Sequence, residues 1–131
     1  MAYKMIQVGT GGRGREGGRV ELQPSIKREE IEVIAAVDIS VDALKNARDY
    51  LGLTNNQCYT DLQKAFDENP ADFCTIVVPP AFHEDVVDMA LSHGMHILSE
   101  KPIADTIEGS IRIVDKVKKS GMKMGVTMTH R

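Results

Sequence analysis

The sequence predicts an α/β domain in which parallel strands form one sheet with helices on both faces. Short apolar runs alternate with longer segments of helical pattern along the chain, with no linker or low-complexity stretch between them. The runs are continuous instead of alternating apolar with polar residues, which is typical of strands covered on both faces. Repeated strand–helix alternation favours a parallel, doubly wound sheet. We predict one domain, residues 1–131, with about six strands.

The predicted strands are five apolar runs and one shorter run around Cys58 and Tyr59. The five runs span residues 4–8, 32–37, 73–78, 96–99 and 124–128. Residues 14–30 should hold the first helix, although Gly17, Gly18 and Pro24 disfavour a long one.

Helix boundary signals occupy the intervening segments. Ser40 is predicted to cap a helix that stops at Gly52. Thr60 and Gln63 have the pattern of a capping box at the start of the next helix, and Gly94 is predicted to close a third.

The last helix is predicted to open with Asp105 and Glu108 and to end at Gly121. We expect its apolar residues to face the core. They are Ile107, Ile111, Val114 and Val117.

Composition excludes several functional classes. The formal net charge is −3, the basic residues are scattered and tryptophan is absent, so no nucleic-acid partner is expected. No apolar run approaches the roughly 18 residues of a membrane span, and the N-terminus lacks the apolar region of a signal peptide.

The cysteines and histidines favour structural roles. Cys58 and Cys74 are isolated in sequence, and we expect buried, reduced thiols in a cytoplasmic protein. His93 and His96 are separated by the predicted helix stop at Gly94, and no further ligands stand at zinc spacing. No metal site is expected.

A glycine-rich turn follows the first strand and predicts dinucleotide binding. Gly9, Gly11 and Gly14 are in G-x-G-x-x-G register, which gives a tight turn, close approach of a pyrophosphate and close packing of helix on strand. Asp38 ends the second strand near the position from which a carboxylate bonds an adenosine ribose. Asp38 could instead be a helix-capping or solvated loop carboxylate. The combination favours the dinucleotide and hence a Rossmann fold.

The same carboxylate predicts NAD over NADP. Asp38 would repel a 2′-phosphate, and Ile39 and Ser40 supply no arginine to hold one. Arg13 and Arg15 are open to either interpretation, as phosphate contacts or as solvated surface residues.

Two further segments lie at the predicted ligand-binding rim, the carboxyl ends of the strands. Pro79 and Pro80 end the fourth strand and either shape the groove or form an ordinary turn into a helix. His83 either faces the groove or joins the first turn of that helix. Glu100 and Lys101 end the fifth strand, where a lysine can bond a substrate hydroxyl. An exposed Glu–Lys pair before Pro102 is the alternative, and the isomer of the Lys101–Pro102 bond is left open.

The chain resembles the N-terminal domain of the Gfo/Idh/MocA oxidoreductases over essentially its whole length. The resemblance lies in four segments: MIQVGTGGRG, AAVDIS, VVPPAFHEDVVDMALSHGMHILSEKPIADT and GVTMTHR. Its most specific part is the E-K-P triplet, a fixed step after the proline pair, histidine and helix. The glycines at 17 and 18 depart from the regular first helix of the family.

The resemblance implies the NAD-binding half of an oxidoreductase that transfers hydride to or from a sugar, cyclitol or related polyol. It implies that Lys101 is the catalytic lysine. It also implies a set of cofactor-binding residues: Gly9, Thr10, Gly11, Gly12, Arg13 and Gly14 at the pyrophosphate, Asp38 and Ile39 at the adenosine, Val78, Pro79, Pro80 and His83 along the groove, and Glu100 and Lys101 at the nicotinamide.

Family members continue into a C-terminal domain that completes the site and sets substrate and oligomeric state. We therefore expect this chain to be a fragment that binds NAD without appreciable turnover, from a parent that is a homo-oligomer. Two other classes stay open. One is a non-catalytic dinucleotide-sensing regulator. The other is a methyltransferase that uses S-adenosylmethionine, because the segment VVPP faintly resembles the Pro-Pro motif of those enzymes.

Overall fold

A computed structural model describes residues 2–11 and 22–127 and contains a six-stranded, fully parallel sheet. The predicted α/β class is confirmed. The strands are β1 Tyr3–Val8, β2 Ile31–Val37, β3 Cys58–Tyr59, β4 Phe73–Ile76, β5 His96–Glu100 and β6 Met124–Thr127.

The described helices connect successive strands and lie on both faces of the sheet. They are α1 Gln23–Lys27, α2 Val41–Leu51, α3 Leu62–Glu68, α4 His83–Ser92 and α5 Ile107–Ser120. Short 3₁₀ turns precede β3 and α4, at Asn55–Gln57 and Pro80–Phe82. Within the described residues, no helix is long and apolar enough to cross a lipid bilayer.

The order of the strands is β3-β2-β1-β4-β5-β6. The chain therefore builds outward from β1 in one direction, returns, and builds outward from β4 in the other. In open parallel sheets the crevice outside the carboxyl ends of the strands, where this order reverses, is where ligands bind. Here the reversal falls between β1 and β4.

The core lies in two clusters, one on each face of the sheet. One face packs under α3, α4 and α5, with Phe66, Val87 and Ile113 fully buried against the central strands. The other packs under α1 and α2, around Met5 and Leu44. Strands β1 and β4 are buried from both sides, which accounts for their continuous apolar sequences.

The first predicted helix boundaries are confirmed at α2 and corrected at α3. Ser40 accepts a hydrogen bond from the Ala43 amide, and α2 ends where Gly52 adopts a left-handed φ of 69°. The cap of α3 is Asp61, not Thr60, because the Asp61 carboxylate accepts from the Lys64 amide. A capping box does occur in this region, but at Thr54 and Gln57.

The orientation predicted for α5 is wrong for three of its four apolar residues and right for Val117, which is partly buried against the core. Gly109 and Ile113 are its buried residues, whereas Ile107 is 76% exposed, Ile111 57% and Val114 37%. The exposed apolar stripe is rotated by roughly a third of a turn from the buried one. A Cβ at position 109 would lie 3.2 Å from the Ala104 Cβ, so the helix approaches along the side that carries no side chain.

Two other expectations for α5 have opposite outcomes. Thr106, not Asp105, is its N-cap, because the Thr106 hydroxyl accepts from the Gly109 amide at 2.9 Å. The predicted stop at Gly121 is confirmed by its left-handed φ of 77°.

Both cysteines are free thiols, as predicted. Cys74 is fully buried in β4, and burial raises its pKa to about 12. Cys58, in contrast to the prediction, is only partly buried. Strands β3 and β4 are three strand spacings apart, roughly 14 Å, beyond the reach of a disulfide.

Ion pairs fix helix α4 near both of its ends. The Glu84 carboxylate contacts Arg112 at 2.9 Å and Lys116 at 2.7 Å, and these cations lower the pKa of Glu84 to about 2. At the other end, His93 Nε2 lies 2.8 Å from Asp67 Oδ1. Helix α4 is thereby tied to both α5 and α3.

Gly9 directly follows β1 and lies beside the ends of β2 and β4. Its amide donates to the Val37 carbonyl at 2.8 Å, and the Val77 amide donates to the Val8 carbonyl at 2.8 Å. Gly9 has a φ of 94°, and a Cβ there would lie 2.1 Å from the Val77 carbonyl oxygen. Only glycine fits this position without displacing β4.

Gly9→Ala should lower the free energy of unfolding by about 2–5 kcal/mol, because it adds left-handed strain to a clash with backbone. Urea denaturation of the variant and the wild type measures the difference. Gly52→Ala is the matched control, since Gly52 also has a positive φ but nothing lies within 4 Å of its added Cβ. It should lose about 1 kcal/mol; equal losses in both variants would contradict the clash.

His93→Gln should lower the thermal midpoint mainly between about pH 4 and 6.5. The Asp67 carboxylate raises the pKa of His93 above its ordinary 6.5, so that stabilisation is lost as pH rises through the raised value. His93 in turn lowers the pKa of Asp67 below 3.8, so its share is lost in acid. Thermal unfolding across pH 3–9 tests this, and Asp67→Asn should give the same profile without adding to it. A pH-independent difference would contradict the ion pair.

Candidate functional site

A groove of about 460 Å³ lies at the carboxyl ends of β1, β2 and β4, at the reversal of strand order. Six of the predicted site residues line it: Gly9, Gly11, Asp38, Ile39, Val78 and Pro79. The structure therefore brings the glycine turn, the acidic end of β2 and the end of β4 to one surface. The assignment of these residues to a ligand stays a prediction.

Buried hydrogen bonds fix the glycine turn from behind. Gln7, 1% exposed, donates from its side-chain amide to the Gly9 carbonyl at 3.1 Å. The Tyr50 hydroxyl of α2 donates to the Thr10 carbonyl at 3.2 Å. Thr10 is itself buried, so it supports the turn from inside while Gly11 is exposed at the groove.

Packing among the described residues does not explain why position 11 is a glycine. A Cβ there would have one neighbour within 4 Å, the Ala43 Cβ at 3.8 Å, which is ordinary van der Waals contact. Gly11 lines the groove, and the absence of a side chain there allows a ligand to approach the backbone closely. The glycine turn thus fits a pyrophosphate-bearing cofactor.

Asp38 links the glycine turn to the start of α2. Its Oδ2 accepts from the Thr10 amide at 2.9 Å and from the Thr10 hydroxyl at 3.0 Å, and its Oδ1 accepts from the Ser40 amide at 2.9 Å. A carboxylate offers about four acceptor positions. Asp38 is not the cap of α2, which is Ser40, but it holds the loop before that helix, and acceptor capacity is left on its groove side.

The adenosine end predicted for this groove carries one negative charge and one apolar surface. Ile39 is 92% exposed beside Asp38. A large aliphatic side chain so placed can pack against a flat ring. The carboxylate disfavours a second anion at the same place.

The proline pair is split between two environments. Pro79 is exposed and lines the groove. Pro80 begins the 3₁₀ turn before α4, is half-buried, and is not among the described residues that line the groove. Pro79 therefore lies at the groove, as predicted. Pro80 instead forms part of the turn into the helix, which was the alternative.

His83 does not face the groove, and this expectation is corrected. Its side chain is 1% exposed, with Nε2 at 2.8 Å from the Val78 carbonyl oxygen and Nδ1 at 3.1 Å from that of Ile103. The ring lies behind the groove wall because two carbonyl groups at the strand ends face inward and need donors.

Glu100 and Lys101 lie on the same rim, at the end of β5. Glu100 Oε2 accepts from the Thr127 hydroxyl of β6 at 2.9 Å. Lys101 is exposed and precedes a cis bond to Pro102. Neither is among the described lining of the groove, so their contact with a nicotinamide stays a prediction. Gly12, Arg13 and Gly14 lie outside the described residues.

Several residues of this site were not predicted, and four of them are informative. Phe82 and Asp85 line the groove from the start of α4, and Gln7 and Tyr50 support the glycine turn. Gln7 had a recognisable signal, since it is the one amide side chain within the apolar run 4–8. Tyr50 had none, because its contact depends on how α2 packs.

Comparison with known proteins gives a family match for nearly the whole chain. Residues 4–128 match the Gfo/Idh/MocA family model, described as an oxidoreductase family with an NAD-binding Rossmann fold. An uncharacterized protein of Sinorhizobium fredii, y4oX, is 53% identical over 131 residues, which are all of this chain and 36% of that protein. Inositol 2-dehydrogenase of Corynebacterium glutamicum is 33% identical over 88% of this chain and 34% of the enzyme.

A solved structure shares the fold at lower identity. Scyllo-inositol dehydrogenase from Lactobacillus casei, with bound NAD(H) and scyllo-inositol, matches with a TM-score of 0.82 at 24% identity. The match covers 96% of this chain and 36% of that enzyme. The chain thus spans about a third of the length of the relatives it matches.

Asp38→Asn should lower the free energy of unfolding by about 1–2 kcal/mol, because its NH2 group replaces one carboxylate oxygen and then faces a backbone amide, at Thr10 or at Ser40, that loses its acceptor. Urea denaturation measures the loss. Asp42→Asn, an exposed acid in the first turn of α2, removes the same charge without these contacts and is the control. Equal stability of Asp38→Asn and wild type would contradict the role of Asp38 in the turn.

Proposed function

The chain belongs to the Gfo/Idh/MocA oxidoreductase family, as its NAD-binding Rossmann domain, and from this we propose that it is the cofactor-binding half of a polyol dehydrogenase. The observation that supports the proposal most strongly is the groove at the reversal of strand order. It combines an exposed glycine, which packing among the described residues does not require, with a carboxylate at the end of β2. Turnover would need the remainder of the enzyme, which in the matched relatives is about two thirds of their length.

The glycine turn would hold the pyrophosphate and Asp38 the adenosine ribose. The Gly11 backbone is open to phosphate oxygens, and Gly12, Arg13 and Gly14 are proposed to continue this contact. Asp38 has acceptor capacity for a ribose hydroxyl, while its charge disfavours a 2′-phosphate. Ile39 would pack against the adenine, and Val78 and Pro79 would contact the nicotinamide half. NAD is therefore the cofactor proposed over NADP.

Lys101 is proposed as the catalytic residue. Bound NAD supplies a hydride acceptor for the carbinol carbon. The Lys101 side chain is exposed on the rim that carries the groove, so its amine can bond a substrate hydroxyl and take the proton that the hydroxyl loses. Glu100, directed to β6 by Thr127, would fix the backbone from which Lys101 extends.

The substrate class follows from the matched relatives, several of which are inositol dehydrogenases. We propose a cyclitol or related polyol, bound between this domain and the part of the enzyme that lies outside this chain. The free thiols at positions 58 and 74 fit a reducing, cytoplasmic compartment. A homo-oligomer is proposed for the full-length protein.

Lys101→Ala, in the protein expressed from its full native reading frame, should lower kcat for inositol oxidation by about 100-fold or more. NADH affinity should change little, because Lys101 lies at the end of β5 and not in the glycine turn that is proposed to hold the pyrophosphate. Gly11→Ala should have the opposite effect. The Kd for NADH should rise, while kcat and the thermal midpoint should stay close to those of the wild type. Steady-state kinetics, NADH fluorescence titration and thermal unfolding measure the three quantities.

Lys118→Ala, an exposed lysine in the last turn of α5, is the charge-matched control. Turnover that survives in Lys101→Ala would contradict the catalytic role of Lys101. Wild-type protein that binds NADH but oxidises no polyol, and whose NADH binding is unchanged in Lys101→Ala, would indicate a dinucleotide-sensing regulator. Wild-type protein that ignores NADH and NADPH at millimolar concentration but is stabilised by S-adenosylhomocysteine would indicate a methyltransferase.

A further inference from the structure

His83 joins two segments of backbone that the sheet does not hold. Strand pairing between β4 and β5 ends at Ile76 and Ser99. Val78 and Ile103 lie beyond those ends, yet the carbonyl oxygens of both contact the same imidazole ring, at 2.8 Å and 3.1 Å.

The two carbonyl groups belong to the two parts of the site that must meet for hydride transfer. Val78 lines the groove. Ile103 follows Lys101 by two residues, across the cis bond to Pro102. The ring of His83 therefore bridges the groove wall and the backbone that follows Lys101.

The chemistry of the ring suits this position. Carbonyl oxygens only accept hydrogen bonds, and the two nitrogens of histidine point away from each other, so a ring with a proton on each donates to both. A ring with one proton donates to only one of them. Asparagine can place its amide near the position of Nδ1, and glutamine near that of Nε2, so each reproduces one contact only.

Helix α4 does not depend on His83 alone for its place in the fold. Glu84 binds Arg112 and Lys116 of α5, and His93 binds Asp67 of α3. Since these pairs secure the helix, the contacts of His83 are free to determine the position of the strand ends. The ring is 1% exposed, so water does not compete for its two partners.

We propose that His83 is a positioning residue that holds the groove wall at Val78 and the Lys101 segment in register through its two ring nitrogens. This inference rests on the proposed function, since it assigns the contacts to cofactor binding and hydride transfer. The Nε2 contact acts on the cofactor groove. The Nδ1 contact acts on the position of Lys101.

The test compares His83→Leu, His83→Asn and His83→Gln in the protein expressed from its full native reading frame. His83→Leu should lower kcat by about 10- to 100-fold, the cost of a misplaced catalytic group, and should raise the Kd for NADH. His83→Asn retains the Ile103 contact and should keep kcat within a few fold while NADH binds more weakly. His83→Gln retains the Val78 contact and should show the opposite pattern.

His93→Leu is the control, because it removes a histidine from the other end of the same helix, away from the groove. It should lower the thermal midpoint without a split between kcat and Kd. If all three His83 variants lose kcat and affinity in parallel, in proportion to their loss of stability, the proposal is overturned. A His83→Leu variant that does not fold leaves the two polar variants to decide the case.

Amide hydrogen exchange separates this proposal from the proposed function. In His83→Leu, exchange should be faster in residues 77–79 and 101–105 and unchanged in β1, and His93→Leu should leave both segments as in the wild type. Unchanged exchange in both segments would overturn the proposal. Wild-type protein that binds no NADH would refute the proposed function, while the exchange experiment would still decide whether His83 holds the strand ends.

Discussion

The contact between Gly9 and the Val77 carbonyl oxygen determines where this protein can bind a ligand. A residue with a side chain at position 9 would overlap the end of β4, so β1 and β4 can lie side by side only with glycine there. Their adjacency is also the point at which strand order reverses. The glycine that lets β1 and β4 lie side by side thus also determines where the groove lies.

Around that contact, polar side chains hold the backbone of the candidate site. Gln7, Tyr50 and Asp38 each bond backbone of the glycine turn, and His83 bonds backbone beyond β4 and β5. Binding residues supported in this way keep their geometry before a ligand arrives, which reduces the ordering cost of binding. Glycine leaves the backbone accessible, and the surrounding polar side chains hold it in place.

The fold and much of the groove could be predicted from sequence, because strand runs, helix stops and the glycine register are local signals. Ser40 with Gly52 illustrates this, since both act within one helix. Asp61 was missed because Thr60 offers an equally good local cap, and only the path of the chain decides between neighbours. The α5 orientation failed because Gly109 contributes nothing to an apolar pattern, yet it lies on the buried side of the helix, close to Ala104 of the preceding loop. His83 was misplaced because its two partners are carbonyl groups, which every residue possesses and no sequence pattern marks.

The thiol of Cys74 can report transient opening of the central sheet. It lies in β4, fully buried beside β1, and a pKa near 12 leaves almost no thiolate at neutral pH. Alkylating reagents can therefore modify it only during excursions in which the middle of the sheet separates. The rate of that modification reports how often the two strands beneath the groove part, and a ligand seated across them would slow it.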